Sequence, residues 1–317
     1  MNMHAPPSPL DFAAFTARLK AQGESACVPV LRRVPAEDGI QLAYRLFLPA
    51  ARCRHVLAFY HGGGACMEAG YACLASAICR TAAAAVALVD IRGHGESGGA
   101  RGHTATVETA YRDIDRLLMT LQQQFPGAEL DLGGHSSGAG LALNYMTQFR
   151  RRAAVRRLLL VAPEFGRQAG TQRNLPDDGK PAFATVRAWP FIVNLLSGGR
   201  LCGATPAVRL SFAGLDAELR HMMVETYTVN MALAVTPVRP VQQLAGLDLP
   251  TTILAGRQDE LNLPEGVAGL VARAANRHVT LQMLERTTHL EILLDAHEAI
   301  VAALDYPPPI EWRRAAP

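Results

Sequence analysis

Short apolar runs alternate with amphipathic stretches along most of this chain. Residues 9–22 place Phe12, Phe15 and Leu19 on one face of a helix. Val28 to Val34 and Ile40 to Leu48 are strand-like, and Glu37-Asp38-Gly39 supplies a turn, so residues 29–48 read as a hairpin. His55 to Tyr60 (HVLAFY) is a short buried strand, followed by a helix over Ala72 to Thr81 and a strand over Ala85 to Asp90. Thr106 to Gln124 is a helix with Ile114, Leu117, Leu118 and Leu121 inward. Leu130 to Gly134 is a strand, Leu141 to Arg150 a helix and Arg157 to Ala162 a strand. Alternation of this kind implies an α/β fold with a parallel sheet covered on both faces.

The pattern breaks at Pro163. Residues 163 to about 245 show no convincing strand, and hold polar loops (Gly170 to Lys180, Ser197 to Ala204) and helix candidates. Ala217 to Val235 sets Leu219, Met222, Met223, Tyr227 and Met231 at helical spacing. That stripe either packs on the main core or lines a cap over an apolar ligand, since methionine and aromatic side chains adapt to irregular partners. The alternation then resumes with a strand at Thr251 to Ala255, a helix at Pro264 to Ala274, a strand at His278 to Leu284 and a helix at Ile292 to Leu304. The organisation expected is a core of residues 1–162 and 246–317 with an inserted cap at 163–245.

Composition narrows the function. With 317 residues, 49% of them hydrophobic and 19% charged, the chain is globular and long enough for a large core. A net charge of +3 is too small to argue for nucleic acid. The run Phe149 to Arg157 is densely basic and reads as the solvated end of a helix. Cys27, Cys53, Cys66, Cys73, Cys79 and Cys202 form no CxxC pair, and no histidine cluster completes a metal site, so neither metal nor cofactor is expected. The stretch MNMHAPPSPLDF lacks the apolar run of a signal peptide, and Ala82 to Val89 is too short to span a bilayer. A soluble cytoplasmic protein without a transmembrane segment is the expectation.

The chemistry gathers at Gly134-His135-Ser136-Ser137-Gly138, a G-x-S-x-G pattern between a strand and a helix. A sharp strand-to-helix turn holds its central residue in a strained conformation, and neighbouring chains leave no room for a Cβ at the flanking positions. The strain exposes the Ser136 hydroxyl and points the next N–H, that of Ser137, toward a helix N-terminus. Ser137 is the rival nucleophile, but only Ser136 has glycine at both two-residue flanks. A serine hydroxyl needs a base. Catalytic groups in an open α/β sheet belong at the carboxyl ends of strands. His289, in the loop after the strand ending at Leu284, fits; His278 lies at the wrong end, His297 within a helix, and His135 inside the turn. A carboxylate must orient that base. Asp259, after the strand ending at Ala255, fits best, with Glu260 as runner-up and Asp295 inside a helix. His61-Gly62-Gly63-Gly64 follows a strand and can aim an N–H at a carbonyl oxygen, from Gly63 or alternatively Gly64; with Ser137 that makes two oxyanion donors. Asp90 to Ser97 reads as a structural loop whose charges pair among themselves.

Taken together, HGGG at His61 to Gly64, DIRGHGES at Asp90 to Ser97, GHSSG at Gly134 to Gly138, GRQD at Gly256 to Asp259 and the late His289 resemble the α/β-hydrolases. They are most similar to the branch of monoacylglycerol lipases, lysophospholipases and serine-aminopeptidase-like hydrolases. The resemblance covers about residues 30–305. It implies a mostly parallel eight-stranded sheet flanked by helices, with a mainly helical cap inserted after the sixth strand. It also implies Ser136, Asp259 and His289 as triad, with Gly63 and Ser137 as oxyanion donors. Two departures stand out: the turn continues Gly138-Ala139-Gly140, and the cap carries no lipase-like motif. The expected activity is hydrolysis of a small-molecule carboxylic ester with an apolar acyl part, through an acyl-enzyme. The same residues also suit amide or C–C hydrolysis, acyl transfer, or a ligand-binding protein with a silent triad.

Overall fold

The computed structural model describes residues 10–21, 28–149, 152–173 and 182–305. The proline-bearing start of the chain, Cys27, Arg150, Arg151 and part of the polar loop before Lys180 lie outside the described residues. Helix α1 (Phe12–Ala21) precedes the hairpin β1 (Leu31–Pro35) and β2 (Gln41–Phe47). Then come β3 (His55–Tyr60), α2 (Tyr71–Thr81), β4 (Ala84–Val89), α3 (Val107–Gln124), β5 (Glu129–His135), α4 (Ser137–Gln148) and β6 (Arg157–Val161). Past an insertion of strands β7 (Ala184–Val186), β8 (Pro206–Leu210) and β9 (Thr226–Thr228) the chain returns to the sheet. The insertion also holds helices α5 (Ala188–Leu196), α6 (Ala217–Arg220), α7 (Val229–Val235) and α8 (Pro240–Ala245). The chain continues as β10 (Thr251–Gly256), α9 (Pro264–Ala274), β11 (Val279–Leu284), α10 (Ile292–Asp295) and α11 (His297–Asp305).

Eight strands form one sheet in the order β1-β2-β4-β3-β5-β6-β10-β11. β1 pairs antiparallel with β2, and β2 antiparallel with β4; every other pairing is parallel. The central strands β3, β4 and β6 are buried along their whole length, as a sheet covered on both faces requires. One apolar cluster joins the sheet to α3, α4 and the insertion, and a second joins it to α2, α10 and α11. Because the inner strands run parallel, the loops after β3, β5, β10 and β11 all emerge at one rim.

The insertion departs from the expectation of a strand-free segment. Strands β7, β8 and β9 form a separate antiparallel sheet. Two of them span three residues each, too short to leave a legible alternation, and the third opens on a proline. The expected helix over Ala217 to Val235 is therefore α6, β9 and α7 in succession, and its Met and Tyr residues do not share one helical face. Helices α7 and α8 pack on α3, α4 and α9, so they join the layer that covers the sheet. The expected helix over Ile292 to Leu304 is likewise two helices, divided at Ala296.

Among the described residues no helix is long and apolar enough to cross a membrane.

Candidate active site

The turn between β5 and α4 is built by exclusion. A Cβ at Gly134 would run into the Gly138 backbone, and a Cβ at Gly138 into the carbonyls of Tyr60 and His61. Ser136 between them adopts φ 54°, ψ −118°, a region that L-residues avoid. Its N–H donates to the Val161 carbonyl at 2.9 Å, and its own carbonyl accepts from Ala139 and Glu164 at 3.0 and 3.2 Å. Ser136 is thus tied to β6 and to the first turn of α4, and the strained conformation is over-determined. The Gly140 departure has a packing reason: a Cβ there would meet the Val235 carbonyl at the end of α7.

The loop after β11 carries His289 back over this turn. Its Nε2 lies 3.1 Å from Ser136 Oγ, and its Nδ1 lies 2.8 Å from Asp259 Oδ2. All three side chains are buried. The other oxygen of Asp259 accepts the N–H groups of Leu261 and Asn262, both at 2.8 Å. Burial would push the Asp259 carboxyl up, but the His289 charge and these hydrogen bonds outweigh it and hold it below the usual range. Burial likewise pulls the His289 imidazole down; the charge and hydrogen bond of Asp259, with the charges of Glu260 and Glu164, outweigh it and raise the ring above 6.5. The expected base and carboxylate therefore meet the expected hydroxyl. The runner-up Glu260 sits alongside in another capacity: its Oε2 accepts the His289 backbone N–H at 2.7 Å. Asp295 instead pairs with Arg18 of α1 at 2.6 Å.

The loop after β3 faces Ser136. Gly64 N–H donates to the Tyr227 hydroxyl at 2.6 Å, and Gly62 N–H donates to the Tyr71 hydroxyl at 2.7 Å. No described group accepts the Gly63 N–H. A Cβ at Gly63 would stand 2.9 Å from Ser137 Oγ, so this peptide lies directly against the head of α4. Of the two alternatives, Gly63 is the one whose N–H stays free, next to the unpaired first N–H of α4 at Ser137.

Two hydrogen-bonded chains support the loop, and the sequence pattern gave no warning of either. In one, Tyr71 receives the Gly62 N–H and donates to His135 Nδ1 at 2.9 Å, and His135 Nε2–H donates to the His289 carbonyl at 2.9 Å. In the other, Tyr227 receives the Gly64 N–H and donates to His94 Nε2 at 2.8 Å, and His94 Nδ1–H donates to the Arg92 carbonyl at 3.0 Å. Burial lowers the His135 imidazole to about 3 and His61 to about 4, and drives His94 down too, so these three rings stay neutral. Partners 64 to 163 residues apart leave no local signature. The Asp90–Ser97 loop is structural, as expected, but its pairing differs. Arg92 reaches out of the loop to Asp113 on α3 and to Asp38 at the hairpin turn, at 2.7 and 2.6 Å. Asp90 accepts the N–H groups of Met67 and Glu96 and is raised by burial to about 6.

A mostly parallel eight-stranded sheet with these loops at its carboxyl rim defines an α/β-hydrolase. Within that class the serine aminopeptidase S33 family matches residues 51–296, and the chain belongs to that family. Among curated proteins it is similar to a monoglyceride lipase of Rattus norvegicus, 25% identical over 206 residues. That match takes in 62% of this chain and 63% of the relative's length. The fold matches a soluble variant of the Saccharomyces cerevisiae monoglyceride lipase, solved with a substrate analogue, at TM-score 0.67 and 17% identity. It covers 88% of this chain and 95% of the yeast one. A monoacylglycerol lipase of Paleococcus ferrophilus matches at TM-score 0.58 and 22% identity, over 83% of this chain and 98% of that one.

Proposed function

We propose that this protein is a serine hydrolase that cleaves carboxylic esters through an acyl-enzyme. The observation that carries the reading is the unbroken hydrogen-bonded chain Ser136 Oγ–His289–Asp259, buried at the rim of the sheet and facing two free N–H groups. His289 Nε2 takes the proton as Ser136 Oγ attacks the ester carbonyl carbon. Asp259 holds the Nδ1–H tautomer and stabilises the imidazolium. The N–H groups of Gly63 and Ser137 receive the charge that develops on the carbonyl oxygen. His289 then protonates the leaving alkoxide, and water, activated by the same ring, hydrolyses the acyl-enzyme. Each part belongs to this chain, and no step in the sequence calls for a metal or cofactor.

The described part of the insertion, residues 163–173 and 182–228 with their own small sheet, forms a cap beside the site, and its side chains Leu210 and Phe212, which a Cβ at Gly64 would meet at 2.7 Å, contribute an apolar wall. That wall and the likeness to monoglyceride lipases support an apolar acyl group. The test is a panel of p-nitrophenyl esters of rising acyl length, run beside monoacylglycerols and aminoacyl anilides. Turnover of esters that Ser136→Ala abolishes supports the reading. Turnover of anilides alone replaces it with peptide hydrolysis, and the absence of both turnover and fluorophosphonate labelling overturns it.

A further inference from the structure

Two serines stand side by side at the head of α4, and the structure gives them different surroundings. The His289 imidazole is committed to Ser136 Oγ on one nitrogen and to Asp259 on the other, which leaves Ser137 without that base. As a nucleophile Ser137 is therefore idle. Its hydroxyl is nonetheless held at a particular place. A Cβ at Gly63 would stand 2.9 Å from Ser137 Oγ and 3.6 Å from Ser137 Cβ. Apart from its own chain neighbours, that Cβ would meet nothing else within 4 Å. The side chain of Ser137 thus lies against the peptide whose N–H is free, and no other group crowds the space there.

The exposure of the two turns points the same way. Gly63 and Ser137 are half-buried, whereas Gly62, Gly64, Ser136 and Gly138 on either side of them are buried. Among the described residues the Ser137 hydroxyl takes part in no hydrogen bond. A hydroxyl proton swings about its own bond and can turn to whatever acceptor arrives. Three donors then border the Ser136 hydroxyl: the Gly63 N–H, the Ser137 N–H and the Ser137 hydroxyl.

We infer that the Ser137 hydroxyl is a third oxyanion donor, a side-chain group acting beside the two backbone ones. The inference rests on the ester-hydrolase reading above and adds a catalytic residue to it. As Ser136 Oγ attacks, the carbonyl oxygen gains negative charge and becomes a much stronger acceptor. The Ser137 hydroxyl donates to it and keeps its own proton, so no further proton transfer is involved. When the intermediate collapses, the hydrogen bond weakens again. An interaction made mainly in the transition state raises kcat and leaves KM nearly alone.

The hydroxyl can be removed without touching either backbone donor, and that makes the inference testable in the full chain. Ser137→Ala should lower kcat for p-nitrophenyl butyrate by about tenfold to a hundredfold, the worth of a hydrogen bond to a charged group, with KM nearly unchanged. Ser137→Cys keeps the shape and offers only a weak donor, so it should lose a similar factor. Both are then measured on the matching thionoester, in which sulfur, a poor hydrogen-bond acceptor, replaces the carbonyl oxygen. There the loss should shrink to about twofold or less. A hydroxyl that only positioned Ser136 or stabilised the turn would slow both esters by one factor. An equal loss on the two esters, or a kcat within about twofold of the parent on the oxygen ester, overturns the inference, and Ser136-dependent turnover then keeps the hydrolase reading intact. If Ser137→Ala lowers the melting temperature, the nearly isosteric Ser137→Cys decides. A parent without Ser136-dependent turnover of any ester refutes the hydrolase reading and this inference with it.

Discussion

At the scale of single residues, the arrangement separates groups that look alike in the sequence. His289 alone among the buried histidines of the site has a carboxylate on one nitrogen and a hydroxyl on the other. His135, with its ring centroid 5.0 Å away, is spent between Tyr71 and the His289 carbonyl, and burial keeps it neutral. Ser136→Ala should lower turnover of a p-nitrophenyl ester by at least ~10⁴-fold with little change in melting temperature, as His289 is the hydroxyl's only side-chain partner among the described residues. Steady-state kinetics with a thermal melt checks both halves. The base must be neutral to accept a proton, so kcat/KM should rise with pH, and the midpoint should lie above 6.5 because the Asp259, Glu260 and Glu164 charges favour the imidazolium. Glu260→Gln removes one of those charges and keeps an acceptor for the His289 N–H. Its pH–rate profile should shift to lower pH, whereas an unmoved midpoint contradicts this electrostatic account. The meeting of Ser136, Asp259 and His289 was readable because glycine spacing and strand ends mark these positions locally. Tyr71 and Tyr227 were not, since what makes them matter is a partner far along the chain, His135 for Tyr71 and the Gly64 N–H for Tyr227.

At the scale of elements, the strands and helices of the core follow from periodicity, and their bounds in the structure stay within a few residues of those expected. β3 is a six-residue apolar run that needs no alternation because both of its faces are covered. The insertion resisted the same reasoning. Three-residue strands such as Thr226-Tyr227-Thr228 are held by neighbours in the fold rather than by their own pattern. The junction of β5 and α4 is where local sequence and packing agree most closely, so it is also the most brittle. Gly138→Ala places a methyl against the Tyr60 and His61 carbonyls. We expect it to lower stability by about 2–3 kcal/mol and to cost activity in the folded fraction, measurable by chemical denaturation beside the ester assay.

At the scale of the whole molecule, side chains from the hairpin, the core and the insertion share their burdens. Arg92 joins the loop after β4 to the hairpin turn at Asp38 and to Asp113 on α3. Arg92→Ala would leave the buried Asp113 carboxylate without a partner, and a loss of about 3–5 kcal/mol is expected in urea unfolding, with the triad distances untouched. Arg92→Ala with Asp113→Ala should recover much of that loss, because the stranded charge is gone. The Tyr227 hydroxyl spans a still larger gap in the chain, 163 residues, to hold Gly64. Grafting onto this scaffold the insertion of some other hydrolase would therefore exchange more than a substrate roof. Unless the donor segment brought a hydroxyl to the same spot, one peptide of the glycine loop would lose its anchor, and the chimera would bind esters yet turn them over slowly.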